Sequence, residues 1–327
     1  MKDTLFIDIN NDEIHLASSL SQIVSKEHDN SPFSQTLTVF GQAITPYLIK
    51  SIIDKLEAVF SPVSVAFHHL HQRLGDDVIE LRGNLIDVEL EQVKPLLGDV
   101  SNAFNLDLGL QSSKPSLSEP GLLVMDMDST VIAIECIDEI AKLAGVGDQV
   151  AEVTAKAMRG EIAFNDSLTH RVACLEGVPI AHLNQIRDSI PIMPGIQSLL
   201  MHLKQHNWKL AIASGGFTFF ADHLKDRLGL DFAISNTLAV DNDRLTGKVE
   251  GEIVNADVKA RTVRELAEKW QIPAKQTVAM GDGANDLVMM AESALGVACH
   301  GKPLVNEKAD VAIRIGSLHS LLYFLEK

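Results

Sequence analysis

Two aspartates two residues apart, Asp126 and Asp128, follow the apolar run Leu122-Leu123-Val124-Met125 without a break. On an extended backbone this spacing sends both carboxylates to one side. Like charges that close repel; at an effective dielectric of ~20, a pair about 4 Å apart costs about 4 kcal/mol. Either a cation sits between them or one carries a proton. A second acidic strand end, Gly281-Asp282-Gly283-Ala284-Asn285-Asp286, follows the apolar run Thr277 to Met280, and its glycines permit a tight turn. Together Asp126, Asp128 and Asp282 make an all-oxygen set suited to Mg²⁺, with waters and a phosphate oxygen completing the shell. Ser214-Gly215-Gly216 follows a third apolar run, Leu210 to Ala213, and its hydroxyl and N–H groups at a strand-to-helix turn suit a phosphate oxygen. Lys259 is an isolated cation on an expected helix. Taken singly, each has a plainer reading: an aspartate pair lining a turn, a capped glycine loop, an ordinary turn, a solvated lysine.

The elements that would position these residues alternate strand and helix, which implies a parallel sheet covered on both faces. Strands are expected at Leu122–Met125, Lys209–Ala213, Phe232–Ile234, Thr277–Met280, Leu295–Ala298 and Val311–Ile313. The first three acidic or hydroxyl-bearing motifs then fall at carboxyl ends of strands, where open α/β sheets bind ligands. Between the first two strands lies far more chain than one crossover needs. Its helical stripes, Ile137, Ile140, Ala141 and Ala144, then Phe164, Leu168, Val172 and Leu175, describe a cap inserted over about residues 136–194, with Gly145 stopping the first helix. Asp241 to Gly251 reads as a polar hairpin. Leu110 to Pro120, with four serines and two prolines, reads as a linker. Ahead of it, strands at Leu37–Phe40, Val63–Phe67, Val78–Leu81 and Leu106–Leu110 and helices at Pro46–Phe60 and Val88–Phe104 give the order βαββαβ, the ferredoxin-like arrangement. The expected organisation is an α+β ferredoxin-like domain over 1–110, which resembles ACT-type modules, a linker over 111–120, and an α/β Rossmann-like parallel-sheet core with its helical cap over 121–327.

The formal net charge of −16 excludes a broad nucleic-acid or anionic-membrane surface. An acidic chain that takes an anionic substrate must invert its field locally with a divalent cation and a few basic side chains. Cys136, Cys174 and Cys299 are odd in number and far apart, as in a reduced intracellular protein. The acidic N-terminus, Met1 to Asp8, is unlike a secretory leader, and no apolar run is long enough to span a bilayer. These features predict a cytoplasmic enzyme that binds neither nucleic acid nor membrane; a homodimer is compatible with them.

The ordered set DMDST, SGG, an isolated lysine and GDGAND resembles the four motifs of the haloacid dehalogenase superfamily. The flanking residues Glu135-Cys136-Ile137-Asp138-Glu139-Ile140-Ala141, Ala157-Met158-Arg159-Gly160, Phe164, Ser167-Leu168 and Arg171-Val172 are similar to its phosphoserine-hydrolysing members, and the likeness runs over residues 121–327. It implies a Mg²⁺-dependent phosphatase acting through an aspartyl-phosphate in serine biosynthesis. Asp126 would be the nucleophile and Asp128 the general acid and then base. Mg²⁺ would be bound by the Asp126 carboxylate, the Asp128 carbonyl and Asp282. Ser214, the Gly215 N–H, Lys259 and Asn285 would contact the phosphoryl group, with Asp286 orienting Lys259 or a metal-bound water. Glu135 and Arg171 would take the ammonium and carboxylate of the substrate, with Met158 and Phe164 packing over it. Met127 stands where many relatives carry Phe, which bears on packing, and His170 has no assigned role. Two other readings remain open from the residues. The same chemistry could serve another small phosphate ester or transfer the phosphoryl group to an alcohol, or the N-terminal domain could act as an amino-acid sensor.

Overall fold

The computed structural model describes residues 33–327 and two short strands, β1 (Phe6–Ile7) and β2 (Ile14–His15). The reading of the first residues as unlike a leader falls outside the described residues. The chain continues through β3 (Gln35–Gly41), α1 (Pro46–Leu56), β4 (Phe60–Phe67), β5 (Asp77–Leu85), α2 (Leu90–Phe104), β6 (Asp107–Gln111) and β7 (Leu122–Met125). Four helices follow, α3 (Cys136–Leu143), α4 (Gly147–Met158), α5 (Phe164–Ala173) and α6 (Ile180–Asp188), and then α7 (Ile196–Gln205) and β8 (Lys209–Phe217). The last stretch runs α8 (Thr218–Leu228), β9 (Phe232–Asp241), β10 (Arg244–Glu250), α9 (Ala256–Trp270), β11 (Thr277–Gly281), α10 (Leu287–Glu292), β12 (Leu295–Cys299), α11 (Pro303–Lys308) and β13 (Val311–Ile313). The residues group into two compact units, Met1–Ser118 with Val297–Lys327, and Glu119–Gly296.

In the first unit the strand order β4-β5-β3-β6, antiparallel at every pair, is the ferredoxin-like order expected for an ACT-like domain. Leu37 and Val39 of β3 join Ile49, Ile52 and Leu56 of α1 and Val93 and Val100 of α2 in one core. The alternate residues Thr38 and Phe40 are also buried, Phe40 with its ring edge against Tyr323 and Phe324. Both faces of this sheet are therefore covered at β3, where four successive residues, Leu37 to Phe40, are buried. Helix α1 starts where Thr45 accepts the Leu48 N–H at 3.2 Å and Pro46 supplies a preset first turn. It ends at Leu56, four residues short of the sequence expectation. Phe60 keeps the four-residue spacing by coincidence, because it is a buried residue opening β4.

The expected linker is not a free tether. Gln111 closes β6, Lys114 is ion-paired with Glu80 at 2.6 Å, and Leu117 is buried. Leu117 N–H donates to Glu326 O and Glu326 N–H to Pro115 O, so this stretch is clamped to the C-terminal segment. Serines and prolines reveal irregular backbone, but not a partner two hundred residues away. The expectation that 121–327 forms one unit likewise differs at its end, since Val297–Lys327 groups with the N-terminal residues.

The larger sheet has the order β10-β9-β8-β7-β11-β12-β13. Its pairs β7–β8, β8–β9, β7–β11 and β12–β13 are parallel, while β10 is the antiparallel arm of a hairpin with β9. The hairpin turns at Asn242-Asp243, both with positive φ, as a tight two-residue connection requires. From β7 the chain goes first to β8 on one side and later to β11 on the other, so the strand order reverses at β7. Such a reversal opens a crevice at the carboxyl ends of the strands. Helices α3 to α6 occupy the expected insertion. Gly145 ends α3 with φ 72°, its N–H reaching Lys142 O while Val146 N–H reaches Ala141 O, a two-bond C-terminal cap.

Candidate active site

Asp126 leaves β7 still held by the sheet, its N–H donating to Met280 O at 2.9 Å. The chain then turns sharply. The Thr130, Val131 and Ile132 N–H groups all converge on Met127 O, and Ser129 takes a left-handed φ of 55°. This knot places Asp126 beside the 281–286 loop. Carboxylate oxygens of Asp126, Asp282 and Asp286 lie within 4.8 Å of one another, the only such group among the described residues. Lys259, on the first turn of α9 and 1% exposed, reaches into the same place. Its ammonium lies 2.9 Å from Asp126 Oδ1 and 2.7 Å from Asp286 Oδ1. The helix is aimed by Asn255, whose side chain accepts the Asp257 and Val258 N–H groups. Burial works against the lysine's charge, yet the two carboxylates raise its pKa above the ordinary value.

One lysine does not balance three carboxylates. Asp282, which accepts the Thr130 hydroxyl at 3.2 Å, is pushed up to about 7 by burial and by the Asp126 charge. Three hard oxygen donors, crowded and undercompensated, are the donor set a divalent cation takes. The residues fit such an ion. Asp286 adds a third side chain to the expected carboxylates Asp126 and Asp282. Asp286 also holds Lys259 and accepts the Gly283 N–H at 3.0 Å, so it serves both the cation and the loop.

Asp128 has a different environment. It is 9% exposed, and its Oδ1 accepts the Cys136 N–H at 3.2 Å. Burial, followed by the Glu135 carboxylate, pushes its pKa up to about 8. Its Oδ2 faces Gly216: a Cβ built there would stand 2.7 Å from that oxygen and 2.5 Å from Met127 Cε. Ser214-Gly215-Gly216 is not the simple strand-to-helix turn the sequence suggests. The three residues form an irregular end of β8, whose register shifts between Ala213 and Phe217, and α8 begins only at Thr218. Ser214 accepts the Gly216 N–H at 3.0 Å.

Of the cap residues, Glu135 sits at the start of α3 and accepts the Ser129 hydroxyl at 2.7 Å. Arg171 on α5 has the fields of Asp138, Glu135 and Asp128 on it, yet its buried Nε has no hydrogen-bond partner. Phe164 lies over Gly215, 3.0 Å from where a Cβ would be. Asn285 lies against Gly283. Met158 ends α4 with 69% of its surface exposed.

A family profile described as haloacid dehalogenase-like hydrolase matches residues 121–293. The chain belongs to this family. Among individual hydrolases, it is 51% identical to the phosphoserine phosphatase of Vibrio cholerae over 69% of each chain. A crystal structure of a probable phosphoserine phosphatase from Vibrio cholerae matches with a TM-score of 0.73 at 42% identity, covering 89% of this chain and 86% of that one. A structure of a phospho-aspartyl intermediate analogue of phosphoserine phosphatase matches with a TM-score of 0.60 at 36% identity, covering 64% of this chain and all of that one.

Three positions in this hydrolase escaped the sequence reading. Thr130, fully buried, orients Asp282 across the sheet; it is the last letter of DMDST and could have been suspected from that alone. Cys136 supplies its backbone N–H to Asp128, and a main-chain donor leaves no mark in sequence. Asn236 is fully buried in β9, donating to Gly215 O at 2.8 Å and accepting the Val254 N–H at 2.9 Å. It ties Gly215 to the segment leading into α9. Flanked by Ser235 and Thr237 just past the expected strand, it reads as an ordinary polar turn residue.

Proposed function

We propose that this phosphatase hydrolyses phosphoserine to serine and phosphate by way of an aspartyl-phosphate on Asp126. One observation carries the reading: two carboxylates two residues apart have opposite surroundings. Asp126 lies against the Lys259 ammonium, whereas Asp128 is buried with a pKa near 8. The first is thereby suited to attack phosphorus as an anion and the second to give up a proton. Asp126 Oδ2 is the free oxygen, since Oδ1 is engaged by Lys259 and the Met127 N–H. Asp128 protonates the departing serine oxygen and, once ionised, takes a proton from the water that cleaves the acyl-phosphate. Lys259, Ser214 and the Gly215 N–H hold the phosphoryl oxygens, and Asn236 keeps Gly215 in place. Asp126, Asp282 and the Asp128 carbonyl, with Asp286 beside them, would hold a Mg²⁺, which would supply charge neutralisation for the phosphoryl group. Arg171, with an unpartnered Nε, receives the substrate carboxylate, and Glu135 the ammonium. Phe164 closes one side. Cys136 and Cys174, neither in a disulfide, support a reducing, cytoplasmic setting.

Phosphoserine turnover by wild type and Asp126→Asn, with Mg²⁺ and with chelator, tests the mechanism. Turnover only in the wild type with metal is expected; full activity in the variant would overturn the covalent step. Equal rates on phosphomonoesters lacking the α-amino group would overturn the substrate assignment.

A further inference from the structure

Ser129 holds a backbone conformation that its own side chain disfavours. Its φ of 55° lies in the left-handed region, which glycine enters freely and a residue with a Cβ does not. A glycine would make the turn after β7 with less strain. Residues kept in such a conformation are held there by their surroundings, and they concentrate at functional sites. The surroundings here are specific. The Ser129 hydroxyl donates to Glu135 Oε1 at 2.7 Å, and the Ser129 N–H donates to Ile134 O at 3.2 Å. The Cys136 N–H closes the same turn on Asp128 Oδ1 at 3.2 Å. Three bonds thus join residues 128–129 to residues 134–136.

Glu135 is a side chain that gains from being held. It stands just ahead of α3 and is exposed. A glutamate has three rotatable side-chain bonds, so a free carboxylate at this place would sample many orientations and lose that freedom on meeting a ligand. Fixing the group beforehand removes that loss from the binding step. The serine hydroxyl engages Oε1 and leaves Oε2 for a second donor. The same turn carries Asp128, so the orientation of Glu135 is set relative to the group that protonates the leaving oxygen.

We propose that Ser129 is a positioning residue for substrate specificity: its hydroxyl holds the Glu135 carboxylate in place for the substrate ammonium, and the strained turn is kept for that bond. The inference rests on the phosphoserine reading above and adds to it the residue that sets how strongly the ammonium is read. Ser129 acts through Glu135 and not on the reacting atoms. Ser129→Gly and Ser129→Ala both delete the hydroxyl, but glycine relieves the strain and alanine keeps it. A loss of affinity common to both variants therefore belongs to the hydroxyl and not to the backbone.

The test is steady-state kinetics of the full chain with Mg²⁺ on two substrates, phosphoserine and the phosphate ester of 3-hydroxypropionate, which keeps the carboxylate and lacks the ammonium. Both variants should raise KM for phosphoserine about tenfold, as befits a hydrogen bond to a charged group, while kcat stays within about threefold. The preference for phosphoserine in kcat/KM should fall by the same factor. In a Glu135→Ala background, adding Ser129→Gly should change KM by less than about twofold, because the serine has lost the group it acts through. Thermal melting should find Ser129→Gly at least as stable as Ser129→Ala. An unchanged KM in both variants overturns the inference alone, as does a fall in kcat without a rise in KM, or a rise in KM confined to one variant. A wild type that turns over the two substrates equally overturns the phosphoserine reading, and the inference with it.

Discussion

Replacing Lys259 by methionine removes a buried ammonium while keeping the length of its stem. The ammonium stands 2.9 Å from Asp126 and 2.7 Å from Asp286, and at an effective dielectric near 20 each attraction is about 6 kcal/mol. The loss cannot reach their sum, because a stranded carboxylate can take up a proton. Protonating a group of ordinary pKa about 4 at pH 7 costs about 4 kcal/mol, which caps the penalty for each aspartate. The wild type also bears the cost of burying the lysine, which the variant recovers. The expected destabilisation is therefore about 3–5 kcal/mol at neutral pH, in the range found when one partner of a buried pair is removed. Its pH dependence has a definite sign. In the variant the folded-state carboxyl pKa is raised above the unfolded value, so the penalty is full above the raised pKa and fades as pH falls towards about 4. Urea denaturation in chelator, so that no cation intervenes, should show the gap between wild type and Lys259→Met shrinking by more than about half from pH 7.5 to 5. A gap below about 1 kcal/mol at neutral pH, or one that does not narrow on acidification, would refute the buried network.

Three further outcomes follow from the same geometry. Gly216→Ala needs no forbidden backbone angle, but its methyl would meet Met127 Cε at 2.5 Å and Asp128 Oδ2 at 2.7 Å; turnover should fall about 100-fold with the melting temperature little changed, as measured by steady-state kinetics and calorimetry. Asn236→Leu strands the Gly215 carbonyl and the Val254 N–H, which should cost about 3 kcal/mol in chemical denaturation and raise KM for phosphoserine. His68, whose pKa burial lowers to about 3, is neutral when folded but protonates near 6.5 when unfolded, so its stabilisation is present above 6.5 and lost as pH falls towards 3. Between pH 7 and 5 that amounts to about 2 kcal/mol, and His68→Gln should flatten the stability profile over this interval by a comparable amount.

The sequence carried the acidic cluster further than it carried the cap. Asp126, Asp282 and Ser214 each follow an uninterrupted apolar run, and a buried parallel strand has that signature, so their placement at strand ends could be read directly. Lys259 could not be raised above a surface lysine by spacing; only tertiary structure reveals that α9 turns it inward. Met158, expected to pack over a substrate, lies at the exposed end of α4, which its spacing along the helix does not reveal. Asp286 illustrates a limit of motif logic, because one side chain both pairs with the lysine and joins the cation cluster. In the N-terminal part the βαββαβ order was legible from turn residues and apolar spacing. The clamp formed by the 111–118 stretch was not, since its partners lie near residue 326 and local composition says nothing of them.

That clamp bears on how this protein can be dissected. Leu318, Leu321, Leu322, Tyr323 and Phe324 are all fully buried, and Phe324 packs so closely on β6 that even a methyl on Gly109 would collide with it. A truncation at residue 120 would leave one fragment with an unfilled sheet face and the other with a greasy, adhesive tail. A fragment ending at residue 120 therefore needs the final residues supplied in trans or replaced by redesign, because the most tether-like stretch of the chain is not where its packing divides.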